Sequence, residues 1–172
     1  MDLRGLFESY YASIWRLLRR LGVPLAQLDD AAQEVFWVAA RRIKDIEPGR
    51  EHPFLYGVAL RIASNQVRRH SPLLHAALEQ FPHLVDQTPS PEEHCQQRQL
   101  RAVLDEVLDR MPSELRTVFV LCEIEGLEVR QAAELVGIPV GTASSRLRRA
   151  REEFSTIARR VRTALQTRGG YR

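Results

Sequence analysis

Arg146, Arg148, Arg149 and Arg151 place four guanidinium groups within six positions of "GIPVGTASSRLRRAREEF", residues 137–154, directly after a Gly-X-Pro turn. A guanidinium is always charged and carries its donors in a planar fork. That fork matches two phosphate oxygens, or the O6 and N7 of a guanine. Thr142, Ser144 and Ser145 precede the arginines and offer hydroxyls that donate or accept. A merely solvated helix face mixes signs, and this one scarcely does until Glu152 and Glu153. The chemistry on offer is grip on a polyanion, with some capacity to read it.

Other combinations offer less. Asp29, Asp30 and Glu34 lie close together but have no histidine nearby. His94–Cys95 is a ligand pair without the second pair a zinc site needs. His52, His70, His75 and His83 fall in loops or at a helix end. The chain has no glycine-rich phosphate loop, nucleophile motif or carboxylate pair in a plausible cleft. The expectation is therefore no enzyme activity of its own, no catalytic residue, no metal and no cofactor. Cys95 and Cys122 stand far apart and give no disulfide framework, as suits a reducing cytoplasm. No apolar run approaches the roughly 20 residues of a membrane span, and "MDLRGLFESYY" does not read as a signal peptide. The protein is expected to be cytoplasmic and not itself in a membrane.

Charge is segregated along the chain. The net value is +3, yet residues 146–172 hold nine arginines against two glutamates, and residues 41–69 hold seven bases against three acids. Residues 86–128 reverse the balance, with ten acids against four arginines. Two basic zones with an acidic one between them suggest two polyanion contacts rather than a uniformly sticky surface.

The elements that must carry these groups are all helical. Leu3, Leu6, Phe7, Tyr10, Ile14, Leu17, Leu18 and Leu21 recur at three- and four-residue steps and predict a helix stopped by Gly22 and Pro24. A second helix starts near Asp29 or Asp30, where Asp30 and Gln33 make a capping box, and runs to about Ile43. Pro53 suits the first turn of a third, which buries Leu55, Val58, Ala59, Ile62 and Val67. Trp15 and Trp37 read as partly buried. Residues 71–95 contain four prolines and no sustained stripe, so they read as a flexible linker that could reach roughly 80 Å when extended. Helix resumes at Gln96. Pro112 opens the next helix, a turn follows at Gly126, and a short helix spans about Glu128–Val136. Gly137 then acts as a left-handed stop before a final helix to about Leu165. The predicted fold class is all-α, with two small helical domains at 1–70 and 96–168.

"VRQAAELVGIPVGTASSRLRRAR" has the spacing of a DNA-binding helix-turn-helix. Ala133 is small where two helices cross, and Ile138, Ala143, Leu147 and Ala150 point inward. In that motif the start of the second helix enters the major groove. Ser144, Ser145 and Arg146 are thus candidates for base edges and Arg148, Arg149 and Arg151 for phosphate, while Thr142 also faces outward on this DNA-binding helix.

"PSELRTVFVLCEIEGLEVRQAAELVGIPVGTASSRLRRAREEF" closely resembles region 4 of the extracytoplasmic-function (ECF) sigma factors, bacterial promoter-recognition subunits, with GTxxSRLxRAR as its specific part. "DDAAQEVFWVAARR" and "PFLYGVALRIASNQVRR" resemble the polymerase-binding and promoter-melting helices of the family's region 2. The resemblance covers nearly the whole chain. It implies that Asp30, Gln33, Glu34 and Phe36 dock on the β′ clamp helices of core RNA polymerase, and that region 4 meets the β flap. It also implies that the loop Lys44–Pro53, with Lys44 and Arg50, captures an extruded base of the −10 element. Tyr56, Arg61, Asn65, Arg68 and Arg69 would then contact and separate the strands, while the final helix reads the −35 element. Extrusion costs a few kcal/mol, which the pocket must repay by stacking and edge contacts.

The family usually has Trp at Phe54, Asn at Arg61, Asp at Asn65, and larger aliphatics at Ala132 and Ala143; Arg61 and Asn65 make this helix more basic. Two promoter elements two helical turns apart lie on the order of 70 Å from each other, which the extended linker can just span. Each domain alone makes few base contacts, so tethering to polymerase multiplies weak specificities.

The resemblance further implies an inhibitory anti-sigma partner. Leu73, Leu74, Leu78, Phe81 and Leu84 of the linker would either meet it or pack on a domain. The expected function is promoter-specific transcription initiation with core polymerase, by a chain that is monomeric when free of partners. The alternatives are a stand-alone helix-turn-helix repressor or activator, which would bind a palindrome as a dimer without polymerase, and a protein that binds only other proteins.

Overall fold

The computed structural model describes residues 2–70 and 93–169, and the side chains of residues 2–67 and 100–164. Seven α-helices and no strand are found among the described residues. They are α1 (Leu3–Arg20), α2 (Leu28–Arg41), α3 (Glu51–His70), α4 (Glu93–Asp109), α5 (Ser113–Phe119), α6 (Val129–Val136) and α7 (Val140–Gly169). Helix α4 thus starts three residues before the expected Gln96; residues 71–92 of the linker, with Leu73, Leu74, Leu78, Phe81 and Leu84, lie outside the described residues.

The apolar spacing of α1 works as expected. Leu6, Ile14, Leu17, Leu18 and Leu21 are buried, and Asp2 caps the helix by accepting the Arg4 N–H at 3.3 Å. Gly22, at φ +95°, turns the chain where an L side chain would be strained. A 3₁₀ turn at Leu25–Gln27 then feeds directly into α2. The expected Asp30–Gln33 capping box therefore does not form: Leu28 is already helical, and Asp29 and Asp30 both sit in the first turn, where negative charge suits the helix dipole. Asp29 instead accepts hydrogen bonds from Trp15 Nε1 at 2.9 Å and the Tyr11 hydroxyl at 3.4 Å, pinning α2 to α1. Val35, Phe36, Ala39, Leu55, Ala59 and Ile62 complete this first bundle.

In the second half, α5 packs on α7, and a π-helical turn at Val120–Ile124 continues α5. The turn closes with Glu125 N–H donating to the Val120 carbonyl five residues back, at 2.9 Å. At the head of α6, Gln131 Oε1 accepts the Glu128 N–H at 3.0 Å. Gly137 adopts the left-handed conformation, φ +75°, as its place after α6 predicts. Ala132, Ala133, Ala143, Leu147 and Ala150 are buried where α6 and α7 cross.

The two halves are docked. Helix α1 meets α4, and α3 meets α6. Their buried side chains form one contiguous apolar cluster that runs from Leu6 to Val161. Leu135 of α6 lies over Gly57 of α3, where a Cβ would stand 3.7 Å from it. Charges line the seam. Arg19 of α1 donates from both terminal nitrogens to Asp109, each at 2.8 Å, and Arg20 pairs with Glu125 at 2.8 Å.

Candidate nucleic-acid interface

The recognition face is built by the turn. Because Gly137 bends the chain, α7 starts almost at once, and its first buried residue, Ala143, locks it under α6. With Ala143, Leu147 and Ala150 facing in, Ser144, Ser145, Arg148, Arg149 and Arg151 are exposed, as their spacing predicts. Thr142 is half-buried. The serine hydroxyls donate to carbonyls within the helix, Ser144 to Val140 at 3.0 Å and Ser145 to Thr142 at 2.9 Å, so their lone pairs face outward.

The arginines differ among themselves in a way the sequence conceals. Arg146 pairs with Glu114 of α5 at 2.8 Å and keeps only a quarter of its side-chain surface. Arg151 donates to Glu123 at 2.6 and 2.9 Å, and Arg148 to Glu152 at 3.0 Å. Arg149 has no acidic partner among the described residues. Exposed ion pairs of this sort are weak and exchange readily for a phosphate. Arg146 is the most constrained of the four.

On α3, Arg61 and Asn65 are exposed on one side of the helix. Arg68 and Arg69 continue α3, with side chains outside the described set. Lys44 and Arg50 are exposed in the preceding loop, where Arg50 lies 3.5 Å from Glu47. Tyr56 is not at the surface expected of it. It is only 2% exposed, and its hydroxyl donates to Glu125 of the other half at 2.5 Å. Burial, then the Glu125 carboxylate, raises its pKa well beyond the ordinary range. The His52 ring packs against it at a 33° tilt, with ring centroids 4.0 Å apart.

The face of α2 that carries the residues expected to dock also needs a correction of register. Asp30, Gln33 and Glu34 are exposed, but Phe36 is 5% exposed and packs edge-on to Phe7, with centroids 5.0 Å apart. The exposed aromatic is its neighbour Trp37, at 60%, with the Arg41 guanidinium 4.6 Å above its ring. Leu3, Phe7, Gln33, Glu34, Phe36, Trp37 and Ala40 together line an open, mainly apolar groove between α1 and α2. "VFWVAA" is apolar throughout, so periodicity alone does not show which aromatic faces out.

Among the described residues, no three or more His, Cys, Asp or Glu side chains converge as metal ligands, and no helix is long and apolar enough to cross a membrane.

An α2 groove with an acidic and aromatic rim, a basic α3, and a helix-turn-helix with a Ser/Arg face define a two-part factor of the sigma-70 type. Family models agree: Sigma-70 region 2 matches residues 6–73 and Sigma-70, region 4 matches residues 101–154. The ECF RNA polymerase sigma-E factor of Haemophilus influenzae is 31% identical over 157 residues, covering 86% of this chain and 82% of that protein. The ECF RNA polymerase sigma factor SigE of Mycolicibacterium smegmatis is 30% identical over 150 residues, covering 87% of this chain but 58% of that longer protein. Among solved structures, sigma factor RpoE in complex with the anti-sigma factor NepR from Bartonella quintana has a similar fold. Its TM-score is 0.68 at 17% identity, with 92% of this chain and 97% of that one covered. CnrH in complex with the cytosolic domain of CnrY gives 0.64 at 22% identity, covering 90% and 86%. The chain belongs to the ECF sigma factors, and is not a stand-alone helix-turn-helix regulator.

Proposed function

We propose that this chain docks on core RNA polymerase through the α1–α2 groove, reads a −35 element with α7, and captures and melts a −10 element with α3 and the loop before it. Domain limits of 1–70 and 96–168 serve these two tasks. On the polymerase side, Asp30, Gln33 and Glu34 supply the polar rim and Trp37 the aromatic anchor, with Phe36 holding Phe7 in place from beneath. This matches the usual anatomy of a tight interface, an aromatic centre inside a polar margin. The β′ clamp helices are the partner for this groove, and region 4 meets the β flap.

On DNA, Ser144, Ser145 and Arg146 face base edges, with Thr142 at their margin. Arg148, Arg149 and Arg151 hold phosphate. Lys44, Arg50, Arg61, Asn65, Arg68 and Arg69 serve the −10 strand. The observation that carries this reading is the presence in one chain of an exposed Ser/Arg recognition face and a separate exposed aromatic groove. A DNA-binding repressor needs only the first.

An anti-sigma factor is the proposed regulator, because the two solved structures of similar fold hold such partners or a cytosolic partner domain. The chain acts in the cytoplasm, as a monomer when free. The test is in vitro transcription with purified core polymerase and mapped start sites. Promoter-specific transcripts with core and none without it are expected; footprints that need no core would refute the reading.

A further inference from the structure

The seam between the halves carries the most unexplained structure. Its chemistry is complementary: α1 contributes Arg19 and Arg20, while the second half contributes Asp105, Asp109 and Glu125. Glu125 takes two donors from the first half at once, Arg20 and the Tyr56 hydroxyl. Asp109 accepts both Arg19 bonds and also lies 3.7 Å from Arg116. Arg116 is only 4% exposed, its guanidinium lies so close to Gly22 that a Cβ there would overlap it, and its Nε has no hydrogen-bond partner.

This closed arrangement is incompatible with reading two separated DNA elements. Helix α6 lies directly on α3, so the start of α7 is within about two helix diameters of α3, roughly 20–25 Å. Promoter elements two turns apart require roughly 70 Å. The tyrosine face of α3 is also covered by the second half.

We infer that the Arg19–Asp109 and Arg20–Glu125–Tyr56 pairs form an intramolecular latch that keeps this factor closed, without any partner protein, and that must release before a promoter is engaged. The inference rests on the promoter reading above. The α1–α2 groove lies away from the seam and stays open in the closed form, so docking on polymerase does not require prior release. Arg116 makes the latch shallow: a buried charge with an orphaned nitrogen penalises closure, whereas the apolar contact of Leu135 with Gly57 favours it.

The test traps the closed form. In a full-length chain carrying Cys95→Ser and Cys122→Ala, Gly57→Cys and Leu135→Cys are joined by a short bismaleimide linker with an internal disulfide. The linked protein is expected to lose at least about tenfold of its core-dependent transcription and to regain it on reduction; single-cysteine chains with the same adduct stay active. Arg19→Ala and Glu125→Ala change net charge in opposite directions. Both are expected to slow the linking reaction, by roughly tenfold for loss of a part-buried charged pair. Arg20→Glu slows it too, and Glu125→Arg in the same chain restores it. Unchanged transcription by the linked protein would overturn the latch, as would linking rates that follow net charge alone. If the unlinked chain yields no core-dependent transcripts, the promoter reading fails, while the linking rates still report on closure.

Discussion

Asp109→Ala and Arg116→Met should affect stability very differently, although the two side chains are neighbours. Asp109 accepts two bonds of 2.8 Å from Arg19 and faces Arg116 at 3.7 Å. Removing it leaves two guanidinia together. Arg116 would keep only a long bond of 3.4 Å to the Leu108 carbonyl. Breaking a buried pair on one side costs about 3–5 kcal/mol. Asp109 and Arg19 retain 26% and 18% of their side-chain surface, so solvent screening reduces this to about 2–4 kcal/mol. Arg116→Met keeps the stem volume, removes the orphaned Nε, and leaves Asp109 with its two bonds to Arg19. Burial lowers the Arg116 pKa, Asp109 opposes this, and Arg19 adds to it, so the charge sits in an unfavourable place. The change to Met should fall within about 1 kcal/mol of neutral. Urea unfolding followed by circular dichroism reads both values, and the double variant should cost less than Asp109→Ala alone. If Arg116→Met costs as much as Asp109→Ala, Arg116 stabilises the fold on balance and the reasoning is wrong.

Trp37→Ala should leave the unfolding midpoint nearly unchanged, since the ring is 60% exposed, yet weaken binding to core polymerase by about tenfold or more in a pull-down titration. Ala132→Ile should destabilise by about 1–3 kcal/mol in thermal unfolding, because Ala132 is fully buried at the α6–α7 crossing and the added methylenes must displace packed neighbours. Arg149→Ala should weaken polymerase-bound promoter affinity evenly across sequences and reduce the salt slope by about 0.9, whereas Arg146→Ala should relax −35 choice; identical behaviour would refute the division. Tyr56 should make the closed form alkali-sensitive. Its folded pKa lies above the ordinary 10.0, so above that pH the unfolded state loses its proton first and stability falls as pH rises. Tyr56→Phe should remove that component from denaturation curves measured between neutral and strongly alkaline pH.

Local features were largely legible in the sequence. Helix spans, the Gly137 stop and the outward Ser/Arg face of α7 follow from periodicity and turn chemistry, which act over a few residues. Ala132 and Ala143, where the family usually carries larger aliphatics, prove to be fully buried at the α6–α7 crossing. Two local readings failed for identifiable reasons. A continuous apolar run in α2 has no period, so it conceals that Phe36 is buried and Trp37 exposed. The Asp30 cap was overridden by a 3₁₀ turn that starts the helix earlier.

Long-range pairing was not legible at all. Arg19 and Asp109 are 90 residues apart, and Arg20 and Glu125 are 105 apart. The acidic stretch was visible as a charge imbalance between two basic zones. Glu114 and Glu123 find their counter-charges in the second basic zone, at Arg146 and Arg151, but Asp105, Asp109 and Glu125 find theirs at the end of α1, where arginines that look like ordinary helix-terminal bases meet them.

The π-helical turn at Val120–Ile124 holds one residue more than regular helix would place there. The wider turn takes up that residue, so the helix end beyond it keeps its facing and Glu125 reaches Arg20 and Tyr56. Tightening the turn into regular helix without removing a residue would carry Glu125 about 100° around the axis and off α1. The hold between the two halves therefore depends on a single widened turn, far along the chain from the Ser/Arg face of α7.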